Sequence, residues 1–219
     1  MRAFKTEGIV LKRRDFGEAD RILVVFTLAR GKISVVAKGV RRITSRRAPN
    51  VELLNRVSMF LYPGKQLFTL TEATAIDTYQ RLKEDLTLST YAYHILELVD
   101  KLTVEDQENR ILYGFTTEVL ERLVHNPRQI WVRAFEVKVL SNLGFATFQV
   151  STNQPSVERS VHSNVEKLLE KLEVSSWDEI EKLKMDENMA LEVERILRYY
   201  IERLIEGKLK SRRFLKWTK

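Results

Sequence analysis

The chain has 219 residues, of which 44% are hydrophobic and 31% charged, so it holds enough apolar material for a packed core. It contains no cysteine, which excludes disulfides, thiolate zinc sites and cysteine nucleophiles. No run approaches the roughly 18 apolar residues of a membrane span, and the first residues lack the apolar stretch of a signal peptide. We therefore expect a cytoplasmic protein that makes no membrane contact.

The net charge of +7 is distributed unevenly along the chain. Residues 1–80 carry a net charge of +8, residues 81–206 a net charge of −7, and residues 207–219 a net charge of +6. Such asymmetry is typical of a polyanion-binding region joined to a part with another role.

The first 80 residues predict strands, because β-branched and aromatic residues cluster there in short runs between turn signals. These runs cover residues 8–12, 22–27, 32–37, 57–62 and 67–71. Arg30-Gly31 predicts a tight reversal, and Pro63-Gly64 predicts a type II turn with a positive φ at the glycine. Five short strands in about 75 residues favour a small closed barrel over an open sheet, and the OB-fold is one such barrel.

A long loop over residues 39–50 joins the third and fourth predicted strands and carries four arginines. From Arg21 to Val51 there are eight basic residues and no acidic one. Such a segment is suited to follow a nucleic-acid backbone, with arginine and lysine neutralising phosphates. The alternative is a solvated loop that binds nothing specific.

Beyond residue 78 the apolar period changes to about 3.6 residues, which predicts helices. Asn126-Pro127 predicts a helix start, Ser176 begins a capping-box pattern, and Gly144 and Gly207 are the expected helix stops. We thus predict an α+β protein, with a five-stranded barrel over residues 1–80 and an all-helical domain over residues 81–219. The basic end of the chain either adds to a phosphate-binding surface or is frayed.

Residue patterns that would indicate an enzyme are missing. His94, His125 and His162 are scattered without metal-ligand spacing, and the acidic residues lie mostly on the polar faces of amphipathic helices. We therefore expect no catalytic residues, no metal and no cofactor.

Several segments resemble the bacterial recombination mediator family RecO. They are the N-terminal stretch from Glu7 to Asp20, the segment from Val36 to Arg41, the helix end LSNLGF at 140–145 and the stretch LKSRRFL at 209–215. The resemblance implies an OB-fold followed by a helical domain, in a non-catalytic DNA-repair protein of the RecF pathway. It implies binding to single- and double-stranded DNA and annealing of complementary strands.

The resemblance also implies protein partners. Such proteins act with RecR to help load RecA onto DNA coated by the single-strand-binding protein SSB, and their helical domain binds the acidic, phenylalanine-ended tail of SSB. Many family members carry a four-cysteine zinc site after the Leu-Gly-Phe turn. Here that segment has no cysteine, so we expect no zinc site and leave the structure of residues 145–160 open. We expect the protein to be cytoplasmic and associated with the nucleoid.

The basic residues of the barrel and the tail are the predicted DNA contacts. They are Arg14, Arg21, Lys32, Lys38, Arg41, Arg42, Arg46, Arg47, Lys210, Arg212 and Arg213. A second basic set, beside Trp131 and Phe135, is the predicted site for the SSB tail, and it consists of Arg128, Arg133 and Lys138. The alternative for that second set is a helix whose aromatic residues face the core and whose charges face water.

Two other functional classes have distinct requirements. An OB-fold protein that binds RNA in translation or RNA metabolism would show the same basic barrel, so the sequence leaves this alternative open. A nuclease would need clustered carboxylates for metal ions.

Overall fold

The computed structural model describes residues 2–145 and 159–211, with the side chains of all of these except residues 159–163. Five strands form the N-terminal part: β1 (Phe4–Phe16), β2 (Asp20–Thr27), β3 (Gly31–Ala37), β4 (Arg56–Tyr62) and β5 (Phe68–Asp77). A short 3-10 helix, Ala48–Val51, interrupts the connection between β3 and β4. All five predicted strands are confirmed.

The strands close into a barrel in the order β1-β2-β3-β5-β4, with β3 and β5 parallel and the other pairs antiparallel. Strand β1 pairs with β4 over Phe4–Ile9 and with β2 over Gly8–Phe16, and a bulge between Val10 and Lys12 accompanies the change of partner. This closed five-stranded arrangement confirms the predicted OB-fold. Alternating side chains fill the barrel, among them Val10, Leu23, Val25, Ile33, Val35, Val57, Met59 and Leu61.

The glycine turns of the barrel agree only in part with the sequence-based expectation. Gly31 reverses the chain between β2 and β3 with a φ of 63°, as predicted. Gly64 is not among the glycines with positive φ, so the predicted type II turn at Pro63-Gly64 is wrong. A different constraint requires a glycine there, because an added Cβ would lie 2.2 Å from the carbonyl oxygen of Leu67.

Seven helices form the rest of the described chain. They are α1 (Gln80–Glu84), α2 (Leu86–Leu102), α3 (Arg110–His125), α4 (Gln129–Asn142), α5 (Arg159–Val174), α6 (Trp177–Glu181) and α7 (Glu187–Leu204). Helix α4 is central and contacts α2, α3, α5, α6 and α7, so every residue from Ile130 to Leu140 is buried. No helix within the described ranges is long and apolar enough to cross a membrane.

The observed helix ends confirm some of the predicted capping residues and contradict others. Ser176 begins α6 with the predicted capping box, and Gly144 (φ 83°) ends α4, where the N–H of Phe145 donates to Leu140. At the end of α7 the left-handed residue is Glu206, so the predicted stop at Gly207 is one residue late. Asn126 does not begin α4: its N–H donates to the carbonyl of Arg122, which makes it the end of α3.

Apart from the core inside the barrel, a second apolar core joins the outside of the barrel to the helices. Ile9, Leu11, Phe26 and Leu54 project from the barrel into the helical cluster, and the rings of Phe26 and Tyr113 lie 5.8 Å apart. The outer face of β1 and the end of β2 are thereby covered. The division of the chain into two domains at residue 80 stays a prediction.

Candidate nucleic-acid interface

The connection from β3 towards β4 begins with the arginine loop, residues 38–47, which one of its own arginines anchors to the barrel. The Arg47 guanidinium donates to the carbonyls of Lys38 (2.7 Å), Leu70 (2.9 Å) and Thr71 (3.3 Å). Because these hydrogen bonds engage both Nη groups, Arg47 holds the loop against β5.

A second set of contacts joins the arginine loop to the β1–β2 loop, residues 17–19. The backbone N–H of Arg41 donates to the carbonyl of Ala19 at 2.8 Å, and its guanidinium donates to Gly17 at 3.3 Å. The N–H of Gly39 donates to the carboxylate of Asp20 at 2.7 Å. The two loops are therefore held side by side at one end of the barrel.

Between these anchors lies an open depression of about 550 Å³. Its lining consists of Asp20, Lys38, Gly39, Arg42, Thr44, Ser45, Arg46 and Arg47. Lys38, Arg42 and Arg46 are exposed, and no side chain in the described ranges forms an ion pair or a hydrogen bond with their charged groups. The depression thus combines three unpaired cationic groups with one carboxylate that is already bonded to backbone.

The lining also supplies hydroxyl groups that the sequence did not single out. Ser45 Oγ is buried and has no hydrogen-bond partner in the part of the chain that the structure describes. Thr44 stands beside it in the lining. A hydroxyl among arginines is a suitable donor to a phosphate oxygen, and the position of these residues between Arg42 and Arg46 was the only signal in the sequence.

Beside the arginine loop, basic and acidic side chains form a network of ion pairs. Arg21 pairs with Asp15 (3.0 Å) and Glu52 (3.2 Å); Asp15 also pairs with Arg41, and Glu52 with Arg13. Arg14 is exposed on β1 opposite Ile22, and its side chain takes no part in this network. Of the predicted contacts, Arg14, Lys38, Arg42 and Arg46 have no side-chain partner among residues 2–145 and 159–211, whereas Arg21 and Arg41 are already ion-paired.

Lys32 does not lie on this surface. Its ammonium group donates to the carbonyl of Asp100 and lies 3.9 Å from the carboxylate of the same residue, at the junction between β3 and α2. Burial lowers the pKa of Lys32, against the opposing effect of the Asp100 and Glu105 carboxylates. The sequence could not indicate this, because the acidic partner lies far away along the chain.

The described part of the C-terminal segment lies against α2. The backbone N–H groups of Lys210 and Ser211 each donate to the carboxylate of Glu97 at 2.8 Å. Ser211 Oγ lies 3.0 Å from His94 Nδ1. Lys210 therefore stands beside the barrel–helix junction, with its side chain exposed, while Arg212 and Arg213 lie outside the described residues.

The three residues predicted to bind the SSB tail do not form a surface patch. Arg133 is 2% exposed, donates to Glu136 at 2.7 Å, and lies 3.1 Å from Glu194. Arg128 donates to the carbonyls of Glu181 and Leu183. Lys138 donates to the carbonyls of Glu173 (3.0 Å) and Ser175 (2.8 Å), and burial lowers its pKa. All three cations are thus engaged in contacts within the helical part, with Arg133 buried, and their role in binding the SSB tail stays a prediction.

In the described ranges, no group of three or more His, Cys, Asp or Glu residues is arranged to hold a metal ion. The arrangement found at the arginine loop is suited to binding, with exposed cationic groups around an open depression. Phosphate oxygens are the ligands that such groups prefer.

Comparisons with known proteins identify the family of the chain. The chain matches the family models "Recombination protein O N terminal" over residues 1–79 and "Recombination protein O C terminal" over residues 83–166 and 149–213. It is similar to the DNA repair protein RecO of Acetivibrio thermocellus, with 37% identity over 149 residues, which is 67% of this chain and 59% of the relative.

Two other relatives carry the same name. The protein of Pelotomaculum thermopropionicum is 34% identical over 162 residues, covering 74% of this chain and 60% of the relative. That of Alkaliphilus metalliredigens is 30% identical over 225 aligned residues, covering 90% of this chain and 92% of the relative. The matches to the first two relatives thus span about 60% of their length.

Proposed function

Since the chain belongs to the RecO family, as its matches to both family models show, we propose that it is a DNA-binding mediator of recombination in DNA repair. The names of its relatives favour DNA over RNA as its nucleic acid. We place its action in the cytoplasm, on DNA of the nucleoid.

The barrel end that carries the arginine loop is the proposed DNA-binding surface. The observation that carries this proposal is the open depression in which Lys38, Arg42 and Arg46 have no acidic partner within the part of the chain that the structure describes. Each of these groups is free to replace a counterion at a phosphate, and release of counterions favours binding at low salt. Arg21 and Arg41 are linked to this loop through Asp15, and Arg14, Lys210, Arg212 and Arg213 are proposed to assist.

Annealing of complementary strands follows from the same surface. A cationic face that holds two strands screens their mutual repulsion, and base pairing then provides the free energy without a nucleotide. We propose that the protein also acts with RecR to help load RecA onto SSB-coated DNA. Support for these partners comes from the family alone, because Arg128, Arg133 and Lys138, the residues predicted to bind the SSB tail, already bond to other residues of the helical part.

Removing the free arginines tests the DNA-binding proposal. We expect the double variant Arg42→Ala/Arg46→Ala to bind a single strand on the order of tenfold more weakly at low salt. The slope of log K against log salt should fall in magnitude by about 1.4, since each phosphate contact contributes about 0.7 for single strands. Annealing should slow in parallel. Fluorescence anisotropy over a salt series measures the affinity, and strand pairing without ATP measures the annealing.

The matched control is the double variant Lys167→Ala/Lys171→Ala, which removes two exposed charges from α5. It changes the net charge equally and should leave both affinity and slope unchanged. If the two double variants behave alike, the effect is one of net charge and the assignment of the arginine loop is wrong.

A further inference from the structure

Two apolar side chains are exposed in the most basic part of the molecule. Ile43, in the arginine loop, is as exposed as in an extended chain (105%), and Phe16, at the end of β1, is 51% exposed. A single exposed apolar residue is ordinary on a protein surface. These two, however, stand beside the same cationic depression.

Chain adjacency and strand pairing place both residues next to residues that line that depression. Ile43 lies between Arg42 and Thr44, which both line it. Phe16 pairs across the β1–β2 ladder with Asp20, another lining residue, and the Asp20 carboxylate accepts the hydrogen bond from Gly39. The arginine loop, which carries Ile43, is thus tied through Arg41 and Gly39 to the β1–β2 turn that follows Phe16.

We propose that Phe16 and Ile43 contact the bases of a single DNA strand whose phosphates lie against Lys38, Arg42 and Arg46. This inference rests on the proposed function and adds contacts to the bases at the same surface. A phosphodiester backbone seated on the arginine loop carries its bases within reach of the apolar rim. An aromatic ring stacks on the face of a base, and a branched aliphatic side chain fits between neighbouring bases.

Base contact at this rim distinguishes single strands from duplexes. In a duplex the base faces are stacked on one another and are not available without unstacking, which costs free energy. The cationic groups attract both forms of DNA, whereas Phe16 and Ile43 add affinity only where the bases are free. The predicted signature is a contribution to affinity that does not depend on salt.

The experiment compares the full chain with two variants that leave its charge unchanged, Phe16→Ala and Ile43→Ser. The probes are a single strand, an abasic strand of the same length and phosphate count, and a blunt duplex. We expect each variant to bind the intact single strand at least about fivefold more weakly, as for the loss of one base-stacking contact. Affinity for the abasic strand and the duplex, and every salt slope, should stay unchanged.

Leu86→Ser and Tyr199→Ala are the matched controls, because they remove exposed apolar side chains from the helical part. They should bind all three probes as the unchanged protein does. Thermal unfolding should give the same midpoint for all four variants, since each side chain is exposed in the folded protein.

Two results would overturn the inference. One is unchanged affinity of Phe16→Ala and Ile43→Ser for the intact single strand; the other is an equal loss on all three probes, which would mean that these side chains only hold the loops. Failure of the proposed function is different, because then the unchanged protein would show no salt-dependent binding to any probe.

Discussion

Arg42 and Arg133 show that the surroundings of an arginine decide what it does. Arg42 lines an open depression and has no partner in the described ranges, whereas Arg133 is buried between Glu136 and Glu194. Burial alone would raise the pKa of Glu136, but Arg133 and His94 hold it below its usual value. The sequence did carry a signal for this: the charges of α4 are embedded in apolar residues on every side of the helix, as in a buried helix.

Replacement of Arg133 tests its structural role. In Arg133→Met the carboxylates of Glu136 and Glu194 lose their buried counter-charge, so the free energy of unfolding should fall by about 3–5 kcal/mol. The control Arg195→Met breaks an exposed pair with Glu192 and should cost less than about 1 kcal/mol. Urea denaturation measures both, and an Arg133→Met protein as stable as the control would contradict the assignment.

Among the elements, the strands were easier to predict than the ends of the helices. Alternating apolar residues and turn glycines identified all five strands, because both signals are local. The start of α4 was placed wrongly, since Asn126 and Pro127 have the residue types of a helix start, yet the Asn126 N–H completes α3. Closure of the barrel followed from the strand count, but the bulge in β1 between Val10 and Lys12 had no marker in the sequence.

The β2–β3 reversal is also where the barrel contacts the helices. An added Cβ at Gly31 would lie 1.8 Å from the carbonyl oxygen of Gln107, whereas one at Gly17 would meet no atom within 4 Å. Both glycines have positive φ, 63° and 57° respectively. A side chain at Gly17 would therefore cause backbone strain only, whereas one at Gly31 would cause backbone strain and a clash with Gln107.

Alanine at these two positions should have unequal effects. Gly17→Ala should lower the free energy of unfolding by about 1–2 kcal/mol, from backbone strain alone. Gly31→Ala should lower it by about 1–3 kcal/mol more, because the segment that carries Gln107 must also move. Chemical denaturation measures the difference, and equal losses would show that the contact with Gln107 gives way freely.

At the scale of the whole molecule, the basic residues of the barrel fall into two groups. One group joins the barrel to the helices: Lys12 and Lys32 pair with the carboxylate of Asp100, and Arg56 pairs with Glu121. The other group consists of Lys38, Arg42 and Arg46 at the arginine loop, which have no side-chain partner in the described part of the chain. The composition predicted a basic surface on the barrel. It could not show which basic residues pair with acidic residues of the helices, because those partners are distant in the sequence.

The most direct test of the account is the footprint of a single DNA strand on the full chain. Hydrogen–deuterium exchange with and without a saturating single-stranded oligonucleotide at low salt would locate the contact. We predict slower exchange in the β1–β2 loop and the arginine loop, with α3 and α4 unchanged. Protection confined to the helices, with both loops unaffected, would contradict the assignment of the barrel as the DNA-binding surface.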